Sequence, residues 1–144
     1  MEMEKSKIRE ILHSMDIERR KIVRPKFQEL GLTVGEGQAK ILKCLLEQGS
    51  MTQRELADRC LLDVTTMSRT LDKLQGAGYL LRTVNPSCRR SFLICITEKG
   101  KEKAASVQKI FSDLDEQIWQ GISEDEMEVL YHTLQKITKN LKND

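Results

Sequence analysis

A mainly α-helical fold with one small β-hairpin is predicted by two features of the sequence. Apolar residues recur at helical spacing along most of the chain. Two short runs, Tyr79 to Val84 and Ser91 to Ile96, instead read as strands around the turn-forming Asn85-Pro86-Ser87.

The elements run in order along the chain. Ile8, Ile11, Leu12 and Met15 keep the i, i+3, i+4, i+7 rule, so a first helix is expected, kinked or ended by Pro25. Thr33-Val34-Gly35-Glu36 reads as a capping box for a second helix through Ile41, Leu42, Leu45 and Leu46, which stops at Gly49. Thr52-Gln53-Arg54-Glu55 reads as another, opening a short helix with Leu56, Ala57 and Cys60 on one side. Leu61-Leu62-Asp63 makes a brief turn, and Asp63 can cap the next helix. That helix sets Val64, Met67, Leu71 and Leu74 on an apolar face opposite Thr65, Thr66, Ser68, Arg69, Asp72 and Lys73, and ends in Gly76-Ala77-Gly78. In the second strand Phe92, Ile94 and Ile96 alternate and should share a face. Thr97 opens a long helix on which Ala104, Val107, Phe111, Leu114 and Ile118 form a heptad seam, broken at Gly121. Ser123-Glu124-Asp125-Glu126 is a third capping box. It starts a last helix striped by Met127, Leu130, Tyr131, Leu134, Ile137 and Leu141.

With 144 residues, the chain suits one compact unit, expected to span residues 1–144. Two short helices, a three-residue turn and a polar-faced second helix make a helix-turn-helix. The basic hairpin directly after it makes the winged variant, over residues 32–100. The flanking segments 1–31 and 101–144 are expected to be dimerisation helices, because such a small unit cannot bury their apolar stripes.

Charge points the same way. The net charge is only +2, but residues 52–103 carry ten basic and six acidic side chains, whereas residues 104–144 carry four and eight. A local basic excess is the footprint of phosphate binding. Aromatics are 4% of the chain, too few for a platform that stacks single-stranded bases. No apolar run approaches a membrane span, and Met1 to Glu10 is too charged for a signal peptide, so a cytoplasmic protein is expected. No nucleophile elbow, phosphate loop or H-E-x-x-H occurs, so neither an enzyme nor a cofactor is expected.

An α-helix fits the B-DNA major groove, ~12 Å wide. Residues early in a recognition helix reach base edges, which makes Thr65, Thr66, Ser68 and Arg69 the base-reading candidates. Arg69 could hold guanine by two hydrogen bonds, worth ~1–3 kcal/mol of discrimination. Arg89 and Arg90 lie where a wing can approach a minor groove. Thr52, Arg54 and Lys73 suit phosphate contacts, which set register.

Residues 32–100 resemble the MarR family of bacterial regulators. The likeness runs through Leu32-Thr33 with Gln38, Gln53-x-Glu55-Leu56-Ala57, Asp63-x-Thr65-Thr66-x-Ser68-Arg69 and Leu71-Asp72-x-Leu74. It continues through Gly78, Arg82, Arg89-Arg90 and Thr97-Glu98-Lys99-Gly100. The resemblance implies a homodimer with interlocked terminal helices, reading a palindromic double-stranded DNA operator with one helix and one wing per protomer. It implies a repressor released by a small aromatic or carboxylate effector, or in some relatives by thiol oxidation. There is one departure. The family pattern has an acid before the wing arginines, paired with the wing-base arginine, here Arg82; this chain has Cys88.

Cys88 beside Arg89 and Arg90 is accordingly a redox candidate, the alternative being an inert exposed thiol. Cys44 and Cys60 fall on apolar helix faces and read as core thiols. His13 and His132 stand alone, with no metal site expected. Phe111 and Trp119 read as dimer-core residues. A rival reading from another class is a winged-helix protein-interaction module that does not read DNA.

Overall fold

The computed structural model describes residues 2–33, 35 and 37–142. Among these the chain forms α1 (Lys5–Glu29), α2 (Gly37–Gln48), β1 (Met51–Thr52), α3 (Gln53–Cys60), α4 (Val64–Gly76), β2 (Leu80–Asn85), β3 (Cys88–Ile96), α5 (Glu98–Ile118) and α6 (Glu124–Leu141). The fold is mainly helical with a three-stranded antiparallel sheet in the order β1-β3-β2.

The core forms where these elements meet. Phe27 of α1, Ile41, Leu42 and Leu45 of α2, Leu56 of α3, and Met67, Leu71 and Leu74 of α4 are essentially inaccessible to solvent. Leu80 of β2, Ile94 of β3 and Val107 of α5 close the same cluster. In β3, Ile94 stands opposite Arg82 of β2 on one side and Met51 of β1 on the other, so the sheet is pinned to the core at its middle strand.

Local chemistry sets the boundaries. Thr52, Asp63, Thr97 and Ser123 each accept a hydrogen bond from a first-turn backbone N–H, ending the chain's extended course and starting a helix. At Ser123 the box is reciprocal, with the Glu126 carboxylate accepting the Ser123 backbone N–H. At Thr52 it is one-sided. The hydroxyl accepts from Glu55 N–H at 3.2 Å and donates to the Glu55 carboxylate at 3.0 Å, while the Thr52 backbone lies in β1 against Leu93. The cap expected over residues 33–36 includes Val34 and Glu36, which lie outside the described residues. Nearby, the buried Gln38 accepts the Thr33 N–H at 3.0 Å.

Several expectations are corrected. Pro25 does not end α1, which runs on to Glu29, since only the hydrogen bond to the carbonyl one turn back is lost and Phe27 anchors the end in the core. Val64 is 76% exposed: it is the first residue of α4, beyond the reach of the core that holds Met67. Phe92 shares the strand periodicity of Ile94 but is 50% exposed, because the hairpin extends past the helices there. The strands are longer than expected at the tip, and the two-residue β1 is new. The α5 seam is no free dimer stripe: Ala104, Val107 and Leu114 are buried inside this chain, and Phe111 packs on Phe27 with ring centroids 5.6 Å apart. Among the described residues α6 has none that is buried.

Candidate nucleic-acid interface

α3, the turn at Leu61 to Asp63, and α4 form the helix-turn-helix. Leu61 adopts φ 55°, and the Leu62 N–H returns to the Ala57 carbonyl at 3.1 Å, which reverses the chain in three residues. Asp63 then holds both the backbone N–H and the hydroxyl of Thr66, each at 2.8 Å. Those two bonds hold its carboxyl below the usual carboxylate range. α4 is ~20 Å long at 1.5 Å per residue, enough to lie along a groove.

The far end of α4 is turned into the wing by a Schellman motif. Gly78 N–H bonds Gln75 O and Tyr79 N–H bonds Leu74 O, both at 3.0 Å, and this needs φ +85° at Gly78. The residues Thr97 to Gly100 close the wing from behind. The Thr97 hydroxyl donates to Gly78 O at 2.7 Å, and Lys99 Nζ donates to Ala77 O at 2.9 Å. Gly100 lies so close to the Tyr79 carbonyl that no side chain fits there.

Arg82 joins wing to helix. Period two places it on the Leu80 side of β2, facing α4. Its guanidinium donates to Asp72 Oδ1 at 2.8 Å, Gln75 Oε1 at 3.1 Å and the Ser68 carbonyl at 3.1 Å. The acid expected beside the wing arginines is thus replaced by Asp72 on α4. Sequence reasoning placed Asp72 on the outward face and missed this pairing. The alternation of Leu80 and Arg82 was the available signal.

Among the other site residues, Thr65 and Arg69 are exposed on α4, and Ser68 and Thr66 are half-buried. Thr66 has committed its hydroxyl proton to Asp63, which leaves it an acceptor. Among the described residues nothing engages the charged ends of Arg54, Arg69, Lys73, Arg89 or Arg90. Thr52, Arg54, Val64, Met67, Arg90 and Phe92 line one groove of about 880 Å³ between the helix-turn-helix and the wing, so α3, α4 and β3 meet there. Arg69, Lys73 and Arg89 are not part of it. Cys88 is exposed at the base of the hairpin turn, opposite Asn85, whose side chain accepts the Ser87 N–H at 3.0 Å.

A helix-turn-helix running directly into a hairpin that is bonded back onto its second helix is a winged helix-turn-helix. Residues 35–92 match the MarR family model. The chain is 28% identical to the HTH-type transcriptional regulator SarZ of Staphylococcus epidermidis over 103 residues, 69% of this chain and 67% of that one. It is 31% identical to the HTH-type transcriptional regulator BilQ of Clostridioides difficile over 81 residues, 56% of this chain and 54% of that one. Among solved structures, the S. aureus MepR–DNA complex shares the fold at TM-score 0.84 and 22% identity, covering 97% of this chain and 100% of that one. NadR in complex with 4-hydroxyphenylacetate does so at TM-score 0.77 and 18% identity, covering 96% and 97%. Over residues 35–92 the chain is therefore MarR-like, and the curated proteins it is similar to are HTH-type transcriptional regulators. No helix among the described residues is long and apolar enough to cross a membrane.

Proposed function

We propose that the chain represses transcription as a homodimer bound to a palindromic double-stranded DNA operator, and that a small aromatic or carboxylate effector releases it. The observation that carries the reading is the Arg82 bridge, which fixes a basic wing to a helix whose outward face offers Thr65, Ser68 and Arg69. Arg69 is the base reader of greatest specificity, with Thr65, Thr66 and Ser68 beside it. Lys73, Arg54 and Thr52 contact phosphates, and Arg89 and Arg90 enter the minor groove.

The dimer reading is supported by apolar surface at the two ends of the chain. Ile8, Ile11 and Met15 on α1, and Leu130, Tyr131 and Leu141 on α6, are exposed large side chains. Isolated exposed apolar residues are ordinary, but stripes of them at helical spacing mark an interface. The effector class is supported by the aromatic carboxylate bound to NadR, a structural neighbour. Repression follows from occupancy, since a protein on the operator excludes other proteins from it.

Fluorescence anisotropy on duplex DNA across salt concentration tests the reading. A sequence-specific reader shows a preferred duplex and a log–log salt slope of about −0.9 per neutralised phosphate. Weak, salt-insensitive binding would assign the chain to the interaction-module class instead. Lys73→Ala should weaken all duplexes alike and flatten the slope by about 1, whereas Arg69→Ala should cost ~1–3 kcal/mol on the preferred duplex only.

A further inference from the structure

The tip of the wing is built against the twist of its strands. Asn85-Pro86-Ser87-Cys88 closes the hairpin, with Asn85 and Cys88 as the last facing pair. A two-residue hairpin turn that matches strand twist needs positive φ at its centre. Neither Pro86 nor Ser87 has it. Asparagine first and proline second suit a turn of ordinary hand, which splays the strands it joins. The ladder breaks accordingly. Val84 faces Phe92 and Asn85 faces Cys88, so Arg89, Arg90 and Ser91 have no facing residue on β2. Both wing arginines thus lie on a bulged stretch of β3, where side-chain direction no longer follows from strand alternation.

One side chain reaches across from β2 to this bulge. Asn85 Oδ1 accepts the Ser87 N–H at 3.0 Å, and because a backbone N–H can only donate, the amide has one orientation. Its Nδ2 therefore points the other way and donates to Ser91 Oγ at 3.0 Å. Ser91 Oγ in turn donates its own proton to the Cys88 carbonyl at 3.3 Å. The bonds run in one direction and tie Cys88 and Ser91, the residues on either side of Arg89 and Arg90. Among the described residues nothing engages the charged ends of those arginines, so the backbone sets their aim. Arg90 and Ser91 border the groove beside α3 and α4, and Arg89 does not.

We propose that Asn85 is a positioning residue: through Ser91 it holds the bulge of β3 in the shape that presents Arg89 and Arg90 to the minor groove. The inference rests on the DNA reading proposed above and adds the residue that makes the wing tip competent for it. Arg82 fixes the base of the wing to α4, and Asn85 acts at the opposite end. Asn85 itself contacts no nucleotide in this role. Without its amide the turn residues remain, but the bulge loses its tie to β2. Two long cations must then be ordered as DNA binds rather than beforehand, and that ordering costs affinity.

The probe is the duplex that the parent protein selects from a randomised pool. The readouts are anisotropy across salt concentration and hydroxyl-radical cleavage of the same duplex. Asn85→Ala and Ser91→Ala should each weaken binding roughly tenfold, the scale of one lost hydrogen bond to a charged group. Each should also flatten the salt slope by about 1 for every arginine that no longer engages. Protection of the flanking minor grooves should disappear, while the base preferred at the Arg69 position stays the same. That retained preference also reports a folded variant. Ser91→Thr keeps the hydroxyl and should bind as the parent does. In a cycle, Asn85→Ala should add almost nothing to Arg89→Ala/Arg90→Ala. The proposal is overturned if the double arginine variant loses affinity and flanking protection while Asn85→Ala keeps both, or if the two losses are additive. If Asn85→Ala does not fold, Ser91→Ala compared with Ser91→Thr decides the same question. A parent that selects no duplex, or a double arginine variant that binds unchanged, would instead overturn the DNA reading and this inference with it.

Discussion

Arg82→Met should release the wing from the recognition helix while keeping most of the arginine's aliphatic stem. The cost depends on where the three bonds go. Asp72 is 65% exposed and the Arg82 side chain 17%, so their ion pair is screened and contributes at most about 1 kcal/mol. The bonds to the Ser68 carbonyl and Gln75 Oε1 come from a charged, mostly shielded donor, and each adds about 1 kcal/mol net. The total is roughly 2–3 kcal/mol, read as a lower urea midpoint at unchanged slope. Asp72→Asn keeps an acceptor oxygen and should cost about 0.5 kcal/mol. A double-mutant cycle on DNA completes the test. If Arg82 positions the wing, Arg89→Ala/Arg90→Ala should weaken binding far less in the Arg82→Met background than in the parent. Full additivity on DNA, or an Asp72→Asn loss equal to that of Arg82→Met, would refute the reasoning.

Three further outcomes are expected of the same structure. Gly100→Ala drives a Cβ into the Tyr79 carbonyl and to 2.8 Å from Ile96 Cγ1; backbone cannot step aside there, and a loss of about 3 kcal/mol is expected in urea unfolding. Cys60, held at about 11 against an ordinary 9.0, stabilises the fold fully below pH 9 and loses that contribution as pH rises toward 11. The difference is at most roughly 3 kcal/mol, so Cys60→Ala should flatten the fall in stability between pH 9 and 11 relative to the parent. Leu130→Glu places a charge on the exposed α6 stripe and should halve the mass seen in analytical ultracentrifugation without changing the helical circular dichroism per residue.

The sequence disclosed most of the helix-turn-helix because its signals are local. Met67, Leu71 and Leu74 recur at helical spacing, Asp63 caps one end of α4 and Gly78 ends the other, so the helix and its outward face could be read directly. The features that were missed depend on pairs distant in the chain. β1 is two residues long and exists only through Met51 and Thr52 pairing with Ile94 and Leu93 of β3. Arg82 and Asp72 sit on different elements ten residues apart; the alternation with Leu80 turns Arg82 toward α4 but does not name its partner. The α5 seam was correctly seen as apolar, but spacing shows only that a stripe is covered, not by what. Here α1 and α2 of the same chain cover Ala104, Val107 and Leu114. Val64 and Phe92 obeyed the patterns of their elements but lie at ends that extend past the core.

Selection of protein-bound fragments from the source genome, run in parallel for the parent and for Arg69→Ala, tests the central claim most directly. The account predicts that the parent enriches a two-fold symmetric sequence whose half-sites lie about one helical turn apart, ~34 Å, and that Arg69→Ala loses preference at one position in each half-site. Fragments retained without any shared sequence, or the same motif returned unchanged by the variant, would contradict a recognition helix that reads DNA through Arg69.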